Sequence, residues 1–87
     1  MATLKEETEI ELKRVIDDFI KGVKRKGVSI KLNDNGSVPT SLKAMVIAHL
    51  DSIENHKLFW RAKSLFANKL DLIIEQQISN SWGLYDS

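Results

Sequence analysis

Glycine and proline are concentrated around one junction of this sequence, with Gly22 and Gly83 outside it. Gly27, Gly36 and the single proline, Pro39, fall close together, and no internal repeat or low-complexity tract appears elsewhere. Proline removes a backbone donor and clashes with the preceding helical turn, while glycine loses the most entropy inside a helix. Such a chain is expected to fold as helices on either side of a short strand or stub hairpin. With 87 residues there is room for one modest core.

The first arm carries its own start and stop signals. Thr3-Leu4-Lys5-Glu6 fits a capping box, in which the Thr hydroxyl accepts from the backbone N–H at Glu6. Glu6, Glu7, Glu9 and Glu11 crowd the positive end of the helix dipole. Leu12, Val15, Ile16, Phe19, Ile20 and Val23 recur at helical spacing, and Lys24, Arg25 and Lys26 suit the negative end before Gly27. This predicts a helix over about 4–26.

Val28-Ser29-Ile30-Lys31-Leu32 alternates with period two, as a half-buried strand does, and Asn35-Gly36 is a hairpin-turn signal. Only Val38 precedes Pro39 on the return side, so the expectation is a stub hairpin or one strand paired elsewhere. Thr40 or Ser41 can cap a second helix bearing Leu42, Met45, Val46, Leu50 and Ile53. Glu54-Asn55-His56 reads as a short break with Asn55 a new N-cap, although helices two and three could also run together. A third helix over about 57–78 carries Leu58, Phe59, Ala62, Leu65, Phe66, Leu70, Ile73, Ile74 and Ile78. The fold expected is mainly α, ordered helix–short strand (or stub hairpin)–helix–helix, in one domain over 1–78 with a tail over 79–87.

Several chemistries have no residues to carry them. There is no cysteine, which removes disulfides, thiolate metal sites and thiol nucleophiles. His49 and His56 are seven apart, two turns along one helix, and lack the i, i+4 spacing of helical zinc ligands. A calcium loop registered on Gly36 would begin with Lys31 and end with Leu42 where acidic ligands belong. No Gly-x-Ser-x-Gly turn or glycine-rich phosphate loop occurs. The expectation is a protein that is not an enzyme, with no cofactor and no metal. No apolar run reaches the length of a membrane span, and the first residues lack signal-peptide architecture, so a cytoplasmic protein away from the membrane is expected.

The net charge of +1 hides a polarised distribution. Residues 1–18 hold six acids and three bases; residues 19–43 hold six bases (Lys21, Lys24, Arg25, Lys26, Lys31 and Lys43) against Asp34 alone. A block of this kind suits an acidic partner or phosphates, unless its charges only complement a helix end. The stretch Ser29-Ile30-Lys31-Leu32-Asn33 followed by two helices resembles, in element order, the ribbon–helix–helix family of DNA-binding dimers. That resemblance implies paired strands from two chains, with Ser29, Lys31 and Asn33 facing bases and Lys24, Arg25 and Lys26 on phosphates. Here a long helix precedes the strand, and Ser52-Ile53-Glu54-Asn55-His56 stands where the family has its Gly and Ser/Thr turn.

The third predicted helix is apolar on most of its circumference, through Phe59-Trp60 and Leu70-Asp71-Leu72-Ile73-Ile74. A helix apolar nearly all round is normally covered on more than one side. The expectation is therefore a helical homodimer with Phe59, Trp60, Phe66, Leu70, Leu72, Ile73 and Ile74 at its interface; the alternative is internal cover, by helix 1 on one side and helix 2 or the Trp82/Tyr85 tail on the other. Functionally the chain reads as a small interaction or regulatory protein with an unidentified protein partner, of the kind found among bacterial or phage accessory proteins. The alternative is a dimeric DNA-binding regulator.

Overall fold

The structure is a computed structural model that describes residues 3–28 and 31–85, with side chains described as far as Ser81 at the C-terminal end. It is mainly helical. Four α-helices follow one another: α1 (Leu4–Arg25), α2 (Thr40–Leu50), α3 (His56–Phe66) and α4 (Leu70–Tyr85). Short 3-10 turns at Ile53–Asn55 and Ala67–Lys69 join the last three.

Local sequence signals account for the ends of α1. The Glu6 backbone N–H donates to Thr3 Oγ1 at 3.1 Å, the N-cap bond of the capping box. At the other end Gly27 adopts φ 78°, with Gly27 N–H donating to the Lys24 carbonyl and Val28 N–H to the Val23 carbonyl. That pair of bonds is a Schellman motif, and it satisfies carbonyls that would otherwise end the helix unpaired.

No strand occurs among the described residues, and Ser29 and Ile30, at the centre of the expected one, lie outside them. The Asn-Gly turn does form. Gly36 N–H donates to the Asn33 carbonyl at 2.8 Å and Asn33 N–H to the Ser37 carbonyl at 3.0 Å, with Gly36 at φ 83°. This is a three-residue turn closed by a left-handed glycine. Leu32 and Val38, on either side of it, are half-buried against the core.

Two expected helix starts differ in detail. The N-cap of α2 is Pro39, without a side-chain cap bond, and Thr40 is the first helical residue. Asn55 precedes α3 but makes no cap bond to it; its amide nitrogen donates backwards to the His49 carbonyl at 3.4 Å, closing the end of α2. Helices two and three are thus separate, divided at Asp51–Asn55.

The larger correction concerns the expected helix over 57–78, which is two helices. The chain breaks at Ala67, whose φ is 24° and ψ −97°, and restarts at Leu70. The break falls inside a long apolar stripe. Ala62, Phe66, Leu70, Ile74 and Ile78 recur every fourth residue, and at about 100° per residue that stripe drifts by about 40° per step. On one straight helix Ile78 would lie about 160° round from Ala62. Breaking the helix returns both halves to the core, so the apparent all-round hydrophobicity is two ordinary stripes. Beyond Ile78, α4 continues through Tyr85, so the segment read as a tail is largely helical.

The core draws on every helix: Leu12, Ile16 and Ile20 from α1; Leu42, Val46 and Leu50 from α2; Phe59, Ala62 and Phe66 from α3; Leu70, Ile74 and Ile78 from α4. α1 is the central element, packed against the other three. Its buried Thr8 hydroxyl donates to the Leu4 carbonyl at 2.7 Å, so this polar group enters the interior with a partner. No helix among the described residues is long and apolar enough to cross a membrane.

Candidate functional site

The seven residues expected at an oligomer interface divide by burial. Phe59, Phe66, Leu70 and Ile74 are buried in the chain's own core, and Ile73 is half-buried against it. Trp60 and Leu72 remain 54% and 57% exposed. The first group belongs to the monomer because α3 and α4 turn those positions towards α1.

The basic block divides in a similar way. Lys43 leaves it entirely: its ammonium lies 3.0 Å from Glu75 and 3.8 Å from Asp71, tying α2 to α4. The hydrogen bond to Glu75 and the two carboxylate charges raise the Lys43 pKa, against an opposing desolvation. Lys21 pairs with Asp17 one turn earlier at 3.0 Å. Arg25, Lys26 and Lys31 are exposed and make no ion pair among the described residues, whereas Lys24 is half-buried. Asn33 is exposed, but its amide nitrogen donates to Ser37 Oγ at 2.9 Å inside the turn. Ser29 lies outside the described residues.

Beside Lys26 the C-terminal ends of α1 and α2 leave a cleft of about 280 Å³, lined by Asp18, Phe19, Gly22, Val23, Lys26 and His49. The His49 imidazole stacks on the Phe19 ring with centroids 4.5 Å apart and planes 24° from parallel. Asn55 Nδ2 stands 3.5 Å from His49 Nε2, at the edge of the ring. Gly22 is the unexpected member. It sits inside α1 without positive φ, and a Cβ built there meets nothing within 4 Å. Neither backbone conformation nor packing requires glycine at that place, and glycine costs a helix interior about 1 kcal/mol relative to alanine. Its effect is to leave the cleft open.

A second surface escapes a reading based on totals. Residues 55–70 contain Lys57, Arg61, Lys63 and Lys69 and no acid, a block concealed when charge is counted over the whole C-terminal half. On the outside of α3, Lys63 Nζ lies 5.0 Å from the Trp60 ring centroid and 5.3 Å from that of Phe59. His56 meets Trp60 edge-on at 6.0 Å, and its Nδ1 is 3.5 Å from Asp51. The spacing His56, Trp60, Lys63 on one helix was the signal available in the sequence.

Among the described residues no group of three or more His, Cys, Asp or Glu side chains could hold a metal ion. A smaller depression of about 230 Å³ lies between the Gly36–Val38 turn and α4, lined also by Glu75, Gln76 and Ser79. Compared with protein-family models, curated proteins and solved structures, the chain matches none.

Proposed function

We propose that this is a small non-enzymatic interaction protein that holds an acidic segment of a partner protein at the cleft between the C-terminal ends of α1 and α2. The observation that carries this reading is Gly22, a helix-interior glycine that no local constraint requires and that keeps the cleft open. An apolar side chain of the partner would enter against Phe19, Val23 and His49, as the anchor residues of protein interfaces do. Acidic neighbours of that anchor would meet Lys26 at the rim and Arg25 beside it. Asp18, about two turns before Lys26 along α1, repels acids at its end of the cleft, which sets the direction in which the segment lies.

The test is capture from native lysate in the presence of nuclease, comparing the wild-type chain with Gly22→Leu and Lys26→Glu. Gly22→Leu fills the cleft and Lys26→Glu reverses its rim charge. A partner lost by both variants, with helical circular dichroism unchanged, supports the reading. A partner retained by both overturns it.

The alternative, a dimeric DNA-binding regulator, is favoured by one observation: Lys31 and Asn33 face outward on either side of the inward Leu32. The engagement of the Asn33 amide by Ser37 weighs against base reading. Band-shift titration at low salt decides: retention abolished by Lys31→Ala promotes this reading, and no retention at micromolar protein removes it.

A further inference from the structure

We infer that the outer face of α3, centred on Trp60, docks the first turns of α1 of a second copy of this chain, giving a two-fold dimer. The two surfaces are opposite in charge and both carry exposed apolar side chains. On α3 stand Trp60, Lys57 and Lys63, in a segment without acids. On α1 stand Glu6 and Glu7 with Leu4 and Ile10, the last two 54% and 64% exposed. Lys5, the one base among these residues, already lies over the Phe66 ring at 5.6 Å. Glu6, Glu7 and Lys57 make no ion pair among the described residues.

Placement makes the pairing possible. α1 and α3 run antiparallel, because Glu11 meets Arg61 while Lys5 meets Phe66. An acidic strip therefore lies beside a basic one on the same molecule. A two-fold operation lays the α3 of each copy on the α1 of the other, so that one contact is made twice. Any other partner would have to supply both charge signs in register; a second copy supplies them by symmetry. Lys63 also covers a face of the indole on which a nucleobase would stack, which favours a protein occupant over single-stranded nucleic acid.

This dimer uses the outer face of α3 and the first turns of α1, whereas the cleft lies at the other end of α1, so the two proposals fail separately. Sedimentation equilibrium at protein concentrations up to about 100 µM reads it directly, that range spanning affinities of moderate strength. The wild-type chain is expected to dimerise, less tightly as salt rises. Trp60→Ala is expected to weaken the dimer by at least about tenfold, as the loss of a buried aromatic anchor does. Lys57→Glu/Lys63→Glu and Glu6→Lys/Glu7→Lys are each expected to be monomeric alone and to form a heterodimer when mixed. Since acids favour the first turn of α1, Glu6→Gln/Glu7→Gln serves as the gentler variant, with circular dichroism reporting the fold of each. A wild-type chain that stays monomeric overturns the proposal, as does a dimer indifferent to Trp60→Ala and to both charge reversals. Gly22→Leu leaves the dimer unchanged.

Discussion

The Arg61 guanidinium donates to the Glu11 carboxylate across 2.7 Å and pins the middle of α3 to the first half of α1. Both side chains are roughly two-fifths exposed, yet Arg61 Nε is buried and finds no hydrogen-bond partner among the described residues. The pair therefore orients two helices more than it stabilises them. Glu11→Ala removes the acceptor and leaves a partly buried guanidinium, which is expected to cost about 1 kcal/mol. Adding Arg61→Met removes the stranded charge and keeps apolar contact, so the double variant should recover most of that loss. A double-mutant cycle by urea unfolding measures the coupling; a double variant less stable than Glu11→Ala contradicts the assignment.

Gly22 and Gly27 should respond to alanine with opposite signs. Gly22 has helical surroundings and open space at its Cβ position, so Gly22→Ala is expected to stabilise by about 0.5–1 kcal/mol. Gly27 holds φ 78° at the Schellman end of α1, where a side chain is strained, so Gly27→Ala is expected to destabilise by about 1 kcal/mol. Thermal unfolding of the two variants gives the comparison.

Ala67 turns α3 into α4 at φ 24°, a conformation that favours glycine. Ala67→Gly relieves strain of about 1–2 kcal/mol and raises the entropy of the unfolded chain at a cost of about 0.5–1 kcal/mol. The expected net effect is stabilisation by a few tenths of a kcal/mol up to about 1 kcal/mol, seen as a rise in Tm of a few degrees. A fall in Tm would show that Ala67 is unstrained.

The Lys43 link between α2 and α4 predicts an alkaline limit to stability. Its pKa is raised in the folded chain above the ordinary 10.5, chiefly by the hydrogen bond to Glu75. Folding therefore favours the protonated form. The contribution is complete below 10.5 and disappears as pH rises through the higher folded value. Wild-type stability should fall across that alkaline range, and Lys43→Met should flatten the fall. Equal slopes for both chains would assign it to other groups.

Much of the site was out of reach of sequence reasoning for identifiable reasons. Lys43 reads as part of a basic block because Asp71 and Glu75 are distant in sequence, and only the packing of α4 beside α2 joins them. The Phe19–His49 stack likewise joins residues thirty positions apart. The Trp60 face was closer to legible, since His56, Trp60 and Lys63 share a helix face and residues 55–70 lack acids.

The sequence by itself determined what is local: the Thr3 cap and Gly27 stop of α1, the Asn33–Ser37 turn, and the four-residue spacing of the buried stripes. Each depends on bonds or contacts within a few residues, so composition and spacing specify it. Tertiary structure decided the break at Ala67, where neither glycine nor proline stands. The turn brings Ala62 and Phe66 of α3 and Leu70, Ile74 and Ile78 of α4 into one core, a longer stripe than the Thr8, Leu12, Ile16 and Ile20 stripe that α1 buries without a break. The same turn decided which large side chains became core, taking Phe59, Phe66, Leu70 and Ile74 inward and leaving Trp60 and Leu72 outside. Periodicity names the apolar residues, but only the arrangement of neighbouring helices determines which of them the chain can cover by itself.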